Sequence, residues 1–141
     1  MSRMRWHDKT VAATLALFGG VFGAHRFYLR GWRDPIGWLH WPLLLLGLRG
    51  ALRLLRFGLD DAQARLLLPL LALLFGVAML QAVLIALTPD ARWDARWNRG
   101  SARSSASGWG AVIVIAVALL SGAAVLMAGL AYFLLQSFQL S

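Results

Sequence analysis

Four long apolar runs alternate with short polar segments along the chain. They cover residues 11–24, 36–48, 66–87 and 111–135. A helix rises about 1.5 Å per residue, so the last two runs are long enough to cross a hydrocarbon core of about 30 Å. The first two runs reach that length only if their helices continue into the polar sequence that follows. The pattern predicts four membrane helices and no β-strand, near residues 10–29, 36–57, 66–88 and 110–136.

Signals typical of helix starts precede these helices. Asp34-Pro35 supplies an N-cap followed by a proline at the first helical position, and Gly58 is suited to end the second helix. We interpret the acids as helix caps rather than catalytic groups, because all of them lie at or near a predicted helix start. The acids are Asp8, Asp34, Asp60, Asp61, Asp90 and Asp94.

The sequence Asp-Ala-Arg-Trp occurs twice in tandem over residues 90–97. The repeat predicts a short interfacial helix near residues 90–98, because its two tryptophans share one helix face. Residues 99–109 are rich in Ser, Arg, Gly and Ala, which is typical of a flexible linker.

Composition places the chain among integral membrane proteins. Its 141 residues are 60% hydrophobic, with a mean hydropathy of +0.66 and a net charge of +8. The arginines flank apolar runs, so the charge predicts anionic lipid headgroups rather than nucleic acid as partners. If all four helices cross, each side of the membrane receives seven cations, and the positive-inside rule gives no orientation.

No pattern of catalytic or metal-binding residues is present. The chain has no Cys, and His7, His25 and His40 lack the spacing of metal ligands. Neither a nucleophile elbow nor a phosphate-binding glycine loop occurs. The sequence therefore predicts no enzyme activity, no metal and no cofactor.

Residues 19–31 form the corner around which the chain is organised. Gly19, Gly20 and Gly23 provide small-residue faces for close approach of another helix, although glycine is also tolerated in membrane helices without such a role. We expect His25 and Arg26 to hold the turn at the interface.

A group of three arginines and one glutamine are further candidates for contacts. Arg49, Arg53 and Arg56 share one helix face and have no acid within a helical turn, so they predict an anionic-lipid site. The alternative is that their side chains only snorkel to the interface. Gln81 is the one strongly polar residue inside the third run and predicts an interhelical hydrogen bond.

The residues from Lys9 to Leu29 resemble the opening of the two-transmembrane (TM-two) domain, also called the NINE protein family. The similarity lies in the paired glycines and in Gly-Ala-His-Arg-Phe-Tyr-Leu, which includes Phe27 and Tyr28. Residues 87–98 resemble the family's closing segment. The resemblance implies a helical hairpin without established enzyme activity, in the bacterial form.

The chain departs from the family pattern in three ways. Arg30 stands where the family has Gly, a helix is inserted at about residues 34–65, and the fourth run lies outside the domain. These features predict a TM-two-like domain over residues 1–98, the linker over 99–109 and an additional membrane span over 110–141.

The expected function is association within the bacterial inner membrane. The partner would be a membrane protein, a second copy of the chain or anionic lipid. The alternative is a small oligomeric channel or transporter, which would need polar groups facing a shared lumen.

Overall fold

The computed structural model describes residues 5–139, and all regular structure in this range is helical. The elements are α1 (Lys9–Gly19), a 3-10 turn (Gly20–Phe22), α2 (Ala24–Arg30), α3 (Pro35–Phe57), α4 (Ala62–Leu87), α5 (Asp90–Trp97) and α6 (Trp109–Gln139). The all-helical class is confirmed. Two segments of the described chain, Ala62–Leu87 and Trp109–Phe138, are long and apolar enough to cross a membrane by length and composition.

The prediction of one continuous helix over residues 10–29 is wrong. α1 ends in the 3-10 turn, and Gly23 then adopts the left-handed conformation with φ 72° and ψ 19°. A β-carbon at Gly23 would lie 2.8 Å from the carbonyl oxygen of Gly37. Glycine is therefore required both by the backbone angles and by the close approach of α3.

After this turn, α2 folds back beside α1. The phenolic oxygen of Tyr28, in α2, accepts a hydrogen bond of 2.9 Å from the backbone N–H of Asp8, just before α1. The start of α1 and the end of α2 therefore lie at the same level, and we call these two helices with their turn the α1–α2 hairpin.

The α1–α2 hairpin lies along only part of α4. Lys9 Nζ donates a hydrogen bond of 2.7 Å to the carbonyl oxygen of Thr88, at the end of α4. Gly20, at the tip of the hairpin, packs so closely that an added β-carbon would lie 2.6 Å from Cβ of Ala78. Ala78 precedes Thr88 by about 15 Å of helix, and α4 with its 26 residues is about 39 Å long, so the tip reaches less than halfway along α4.

α3 packs antiparallel to α4 over nearly its whole length. An added β-carbon at Gly50 would lie 2.5 Å from the backbone N of Leu68, and one at Gly47 would lie 2.8 Å from Cβ of Leu71. The two glycines let the backbones of α3 and α4 approach closely. The sequence analysis did not single them out.

α6 packs antiparallel to α4 on another side. Its first turn meets α1 where Gly110 approaches Thr10, and Gly122 packs against Met79. The core between the helices consists largely of small residues, among them Ala13, Ala16, Ala78, Ala82 and Ala118.

The molecule has two distinct ends. The "α5 end" contains the chain from residue 5 to Lys9, the α2–α3 turn and residues 88–109. The "opposite end" contains the α3–α4 turn and the last turns of α6. The first helix therefore does not connect the two ends, whereas α3, α4 and α6 each do.

Candidate functional site

The predicted corner residues lie together in the α1–α2 hairpin and hold it against α3. The ring of Phe27 stacks on Trp32 at a centroid distance of 5.0 Å and occupies the space beside Gly37. His25 is only 3% exposed, and its ring lies 6.3 Å from that of His40. Gly19 differs from Gly20 and Gly23 because its nearest neighbour is Ala24 of the same hairpin rather than another long helix.

Arg26 and Asp34 form a buried ion pair that closes the corner. Arg26 Nε donates to Asp34 Oδ2 at 2.6 Å, and Asp34 also caps α3 by accepting from the backbone N–H of Gly37. The hydrogen bonds from Arg26 hold the pKa of Asp34 below its usual value, although burial of the carboxylate opposes this. Asp34 is therefore a helix cap, as predicted, and also the partner of the corner arginine.

A second ion pair, between the buried Lys9 and the partly exposed Asp90, joins the start of α1 to α5. Lys9 is only 4% exposed, and its Nζ contacts Asp90 Oδ1 at 2.5 Å. Hydrogen bonds from Lys9 and Ser107 lower the pKa of Asp90 to about 2. A lysine can be buried this deeply because its charge is paired and hydrogen-bonded.

Asn98 and Trp93 complete the attachment of the N-terminal segment to α5. The backbone N–H of His7 donates to Asn98 Oδ1 at 2.8 Å, and Trp93 Nε1 donates to the carbonyl oxygen of His7 at 2.9 Å. Residues 5–9 and α5 are thus held on the same end of the molecule.

The predicted linker over residues 99–109 has no regular structure before α6 begins, but it is attached to α5. The hydroxyl and backbone N–H of Ser105 donate to Asp94, and those of Ser107 donate to Asp90, at distances between 2.6 and 2.8 Å. The capping role predicted for Asp90 and Asp94 is wrong, because the N-cap of α5 is Pro89 and no side chain of residues 5–139 caps this helix. Both carboxylates instead bind the linker.

A cavity of about 310 Å³, lined by arginines as well as apolar side chains, lies between α2, α4 and α5. We call it the arginine cavity. Its lining is His25, Arg26, Leu29, Arg30, Gln81, Leu84, Ile85, Thr88, Arg92, Trp93, Arg96 and Trp97. Four arginines and no acid contribute to it, so its electrostatic potential favours an anion. The sequence signal for this site was the pair Arg92 and Arg96 at helical spacing in the tandem repeat.

The three arginines of the predicted lipid site are not all unpaired in the structure. Arg53 pairs with Asp61, and its Nε donates to Asp61 Oδ2 at 2.8 Å. Arg49 Nη2 donates to Oε1 of Gln63 at 3.4 Å. No acid within a helical turn was expected to pair with these arginines, but the α3–α4 turn brings Asp61 back to α3, eight residues after Arg53. Arg56 is exposed and forms no ion pair within the described range.

Gln81 lies in the wall of the arginine cavity. Its Oε1 and Nδ1 of His25 are buried and have no other hydrogen-bond partner among residues 5–139. The side chains of Gln81 in α4 and His25 in α2 interact as hydrogen-bonding partners, so His25 is the residue of another helix that Gln81 contacts. Within the described residues, no three His, Cys, Asp or Glu side chains are placed to hold a metal ion.

Comparison with protein families identifies the first part of the chain. Residues 6–55 match the TM2 domain family, the same two-transmembrane domain that the glycine corner resembles. No curated protein and no solved structure matches the chain. The match ends within α3, so the inserted helix and the closing segment over residues 87–98 stay predictions. The chain therefore carries a TM2 domain, which comprises the α1–α2 hairpin and most of α3.

Proposed function

We propose that this chain is a non-enzymatic integral membrane protein that associates with anionic lipid through its α5 end. The observation that carries the proposal is the distribution of Lys and Arg in residues 5–139. Four of the thirteen cations belong to the opposite end: Arg49, Arg53, Arg56 and Arg65. The other nine belong to the α5 end: Arg5, Lys9, Arg26, Arg30, Arg33, Arg92, Arg96, Arg99 and Arg103. Each cation near an anionic leaflet contributes about 1 kcal/mol of attraction.

The TM2 domain and the two apolar helices indicate a membrane protein, and we infer that α3 crosses together with α4 and α6. α3 has 23 residues, or about 34 Å of helix, and lies beside α4 throughout. The α1–α2 hairpin would enter and leave the bilayer at the α5 end, and its tip would reach about half of the hydrocarbon depth. Its backbone could lie at that depth because it packs against α3 and α4 rather than facing lipid throughout.

This arrangement supports one orientation in the membrane. The count of seven cations on each side assumes that the first helix crosses. With a hairpin that does not cross, the described cations divide nine to four in favour of the α5 end. By the positive-inside rule, we infer that the α5 end lies on the cytoplasmic side of a bacterial inner membrane.

Cysteine labelling tests the orientation, since the chain contains no Cys. We expect a membrane-impermeant maleimide to label Asp60→Cys in intact cells and Ser104→Cys only after permeabilisation. Both positions are exposed, one at each end of the molecule. Labelling of both from the same side would contradict the three-crossing arrangement.

Lipid analysis of native nanodiscs tests the association itself. We expect phosphatidylglycerol to be enriched over the surrounding membrane in discs that hold the parent protein. Arg33→Gln/Arg99→Gln should lower the enrichment, whereas Arg49→Gln/Arg56→Gln, which removes the same charge from the opposite end, should leave it nearly unchanged. Discs with the same lipid composition as the bulk membrane would contradict the proposal. A loss of phosphatidylglycerol enrichment confined to Arg49→Gln/Arg56→Gln would instead support the lipid site predicted on α3.

Association with a partner membrane protein or a second copy is also supported by one feature. An apolar groove of about 750 Å³ lies between α4 and α6 and is lined by Gly76, Gly122 and Gly129 among others.

A channel has less support. Two polar groups that could line a lumen are bonded within their own helices, His40 to the carbonyl oxygen of Ile36 and Ser121 to that of Val117.

A further inference from the structure

We propose that the arginine cavity is a binding site for one phosphate group, carried by a lipid headgroup or free in solution. The inference rests on the proposed association of the α5 end with anionic lipid and goes beyond it. A cationic surface attracts many lipids weakly, whereas this cavity would hold a single anion in a defined place.

The tandem repeat of α5 separates its charges onto two faces. Two residues along a helix correspond to a rotation of about 200°, so the arginines of the repeat face away from its aspartates. Asp90 and Asp94 bind Lys9, Ser105 and Ser107 on one side. Arg92 and Arg96 line the cavity on the other side, and no acid is among the residues that line it.

Within residues 5–139, the charge of the cavity is only partly neutralised, because Asp34 is the one acid that pairs with its arginines. Arg92 and Arg96 form no ion pair with any residue between 5 and 139. Arg30 approaches Asp34 only to 4.0 Å, and that carboxylate is already bound by Arg26. Arg96 also stacks over the ring of Trp97 at 5.4 Å, an arrangement that leaves its N–H groups able to donate. Arg92 and Arg96, together with the weakly paired Arg30, can therefore donate hydrogen bonds to one anion.

The inner wall of the cavity carries two polar side chains, His25 and Gln81, which interact as hydrogen-bonding partners of each other. His25 is almost wholly buried, and Nδ1 of His25 and Oε1 of Gln81 have no other hydrogen-bond partner within residues 5–139. Buried polar groups are normally hydrogen-bonded, so a water molecule or a hydroxyl group of a ligand would complete the bonding of this wall.

The shape and chemistry of the cavity favour phosphate. Guanidinium groups from two helices can each donate two parallel hydrogen bonds to phosphate oxygens, and a tetrahedral anion can accept them from several directions. The remaining walls are apolar, with Leu29, Leu84 and Ile85 beside the arginines. Such walls could contact the glycerol and first methylene groups of a lipid.

Binding can be measured with the intact chain in detergent after lipid removal. The probe is a short-chain phosphatidylglycerol, titrated while tryptophan fluorescence is recorded, because Trp93 and Trp97 line the cavity. We expect saturable binding of one molecule per chain. Arg92→Gln/Arg96→Gln should weaken it by about thirtyfold.

The matched control is Arg33→Gln/Arg99→Gln, which removes the same charge from the same end but outside the cavity lining. It should bind nearly as tightly as the parent, and Arg92→Lys/Arg96→Lys should recover part of the lost affinity. Equal thermal melting of the variants would show that folding is preserved.

The possible results separate this inference from the proposed function. Equal weakening in the two Gln variants would overturn the cavity site and leave a diffuse cationic surface. No preference of the parent for phosphatidylglycerol over phosphatidylcholine would overturn the proposed lipid association, and the lack of saturable binding of inorganic phosphate as well would overturn the cavity site. Inorganic phosphate is titrated in a parallel arm, and saturable binding of it that is lost in Arg92→Gln/Arg96→Gln would assign the site to free phosphate.

Discussion

Arg26→Gln is expected to destabilise the protein by about 3–5 kcal/mol, because it removes one partner of a buried ion pair. Asp34 is 6% exposed, and the two hydrogen bonds from Arg26 are the main cause of its lowered pKa. Without the guanidinium group, this carboxylate would remain buried with only the backbone N–H of Gly37 as a bonded partner. Denaturant or thermal unfolding in detergent micelles would measure the loss.

Arg30→Gln is the matched control for this prediction. Arg30 faces the same carboxylate, but at 4.0 Å and with a side chain that is 46% exposed. Its removal should cost less than about 1 kcal/mol. The double variant Arg26→Gln/Asp34→Asn should recover part of the stability, because the uncompensated charge is then absent. Equal losses for Arg26→Gln and Arg30→Gln would show that the corner does not depend on the buried pair.

Gly50→Ala is expected to destabilise the protein by about 1–3 kcal/mol, although alanine is the better helix former. The added methyl group would lie 2.5 Å from the backbone N of Leu68 and 2.7 Å from the carbonyl carbon of Leu67. Backbone atoms of α4 cannot move aside as a side chain can, so α3 and α4 would have to separate. Unfolding in detergent micelles would detect the change.

Gly76→Ala provides the comparison for Gly50→Ala. Gly76 is also inside a long helix, but its added methyl group would meet nothing within 4 Å. The substitution should be neutral or should stabilise by up to about 1 kcal/mol. A Gly50→Ala protein as stable as the Gly76→Ala protein would refute the close packing of α3 on α4.

The sequence by itself determined where most helices begin and end. Asp34 and Pro35 begin α3, Gly58 follows its end, and Asp61 caps α4, as local capping chemistry predicts. The short helix of the tandem repeat was also predictable. These features depend on residues within one or two turns of each other, so they can be predicted from the sequence alone.

The corner shows where local patterns stop being informative. Glycines at 19, 20 and 23 are compatible with a helix that continues and with one that turns back. The choice depends on the carbonyl oxygen of Gly37 and on Tyr28, which reaches back to the start of α1. Both contacts come from outside the glycine run, so the sequence pattern predicted a single long helix.

Charges show the same division at longer range. The sequence determined the number of arginines and their places at helix ends. It also showed the family resemblance, which the TM2 domain match over residues 6–55 confirms. Only the tertiary structure decided which cations are paired, because Lys9 meets Asp90 across 81 positions and Arg53 meets Asp61 across a turn. It likewise brought Arg30 of α2 to the same cavity as Arg92 and Arg96 of α5. Coulomb attraction depends on the distance between two charges in space. Separation along the chain does not give that distance, because it is set only when the helices pack.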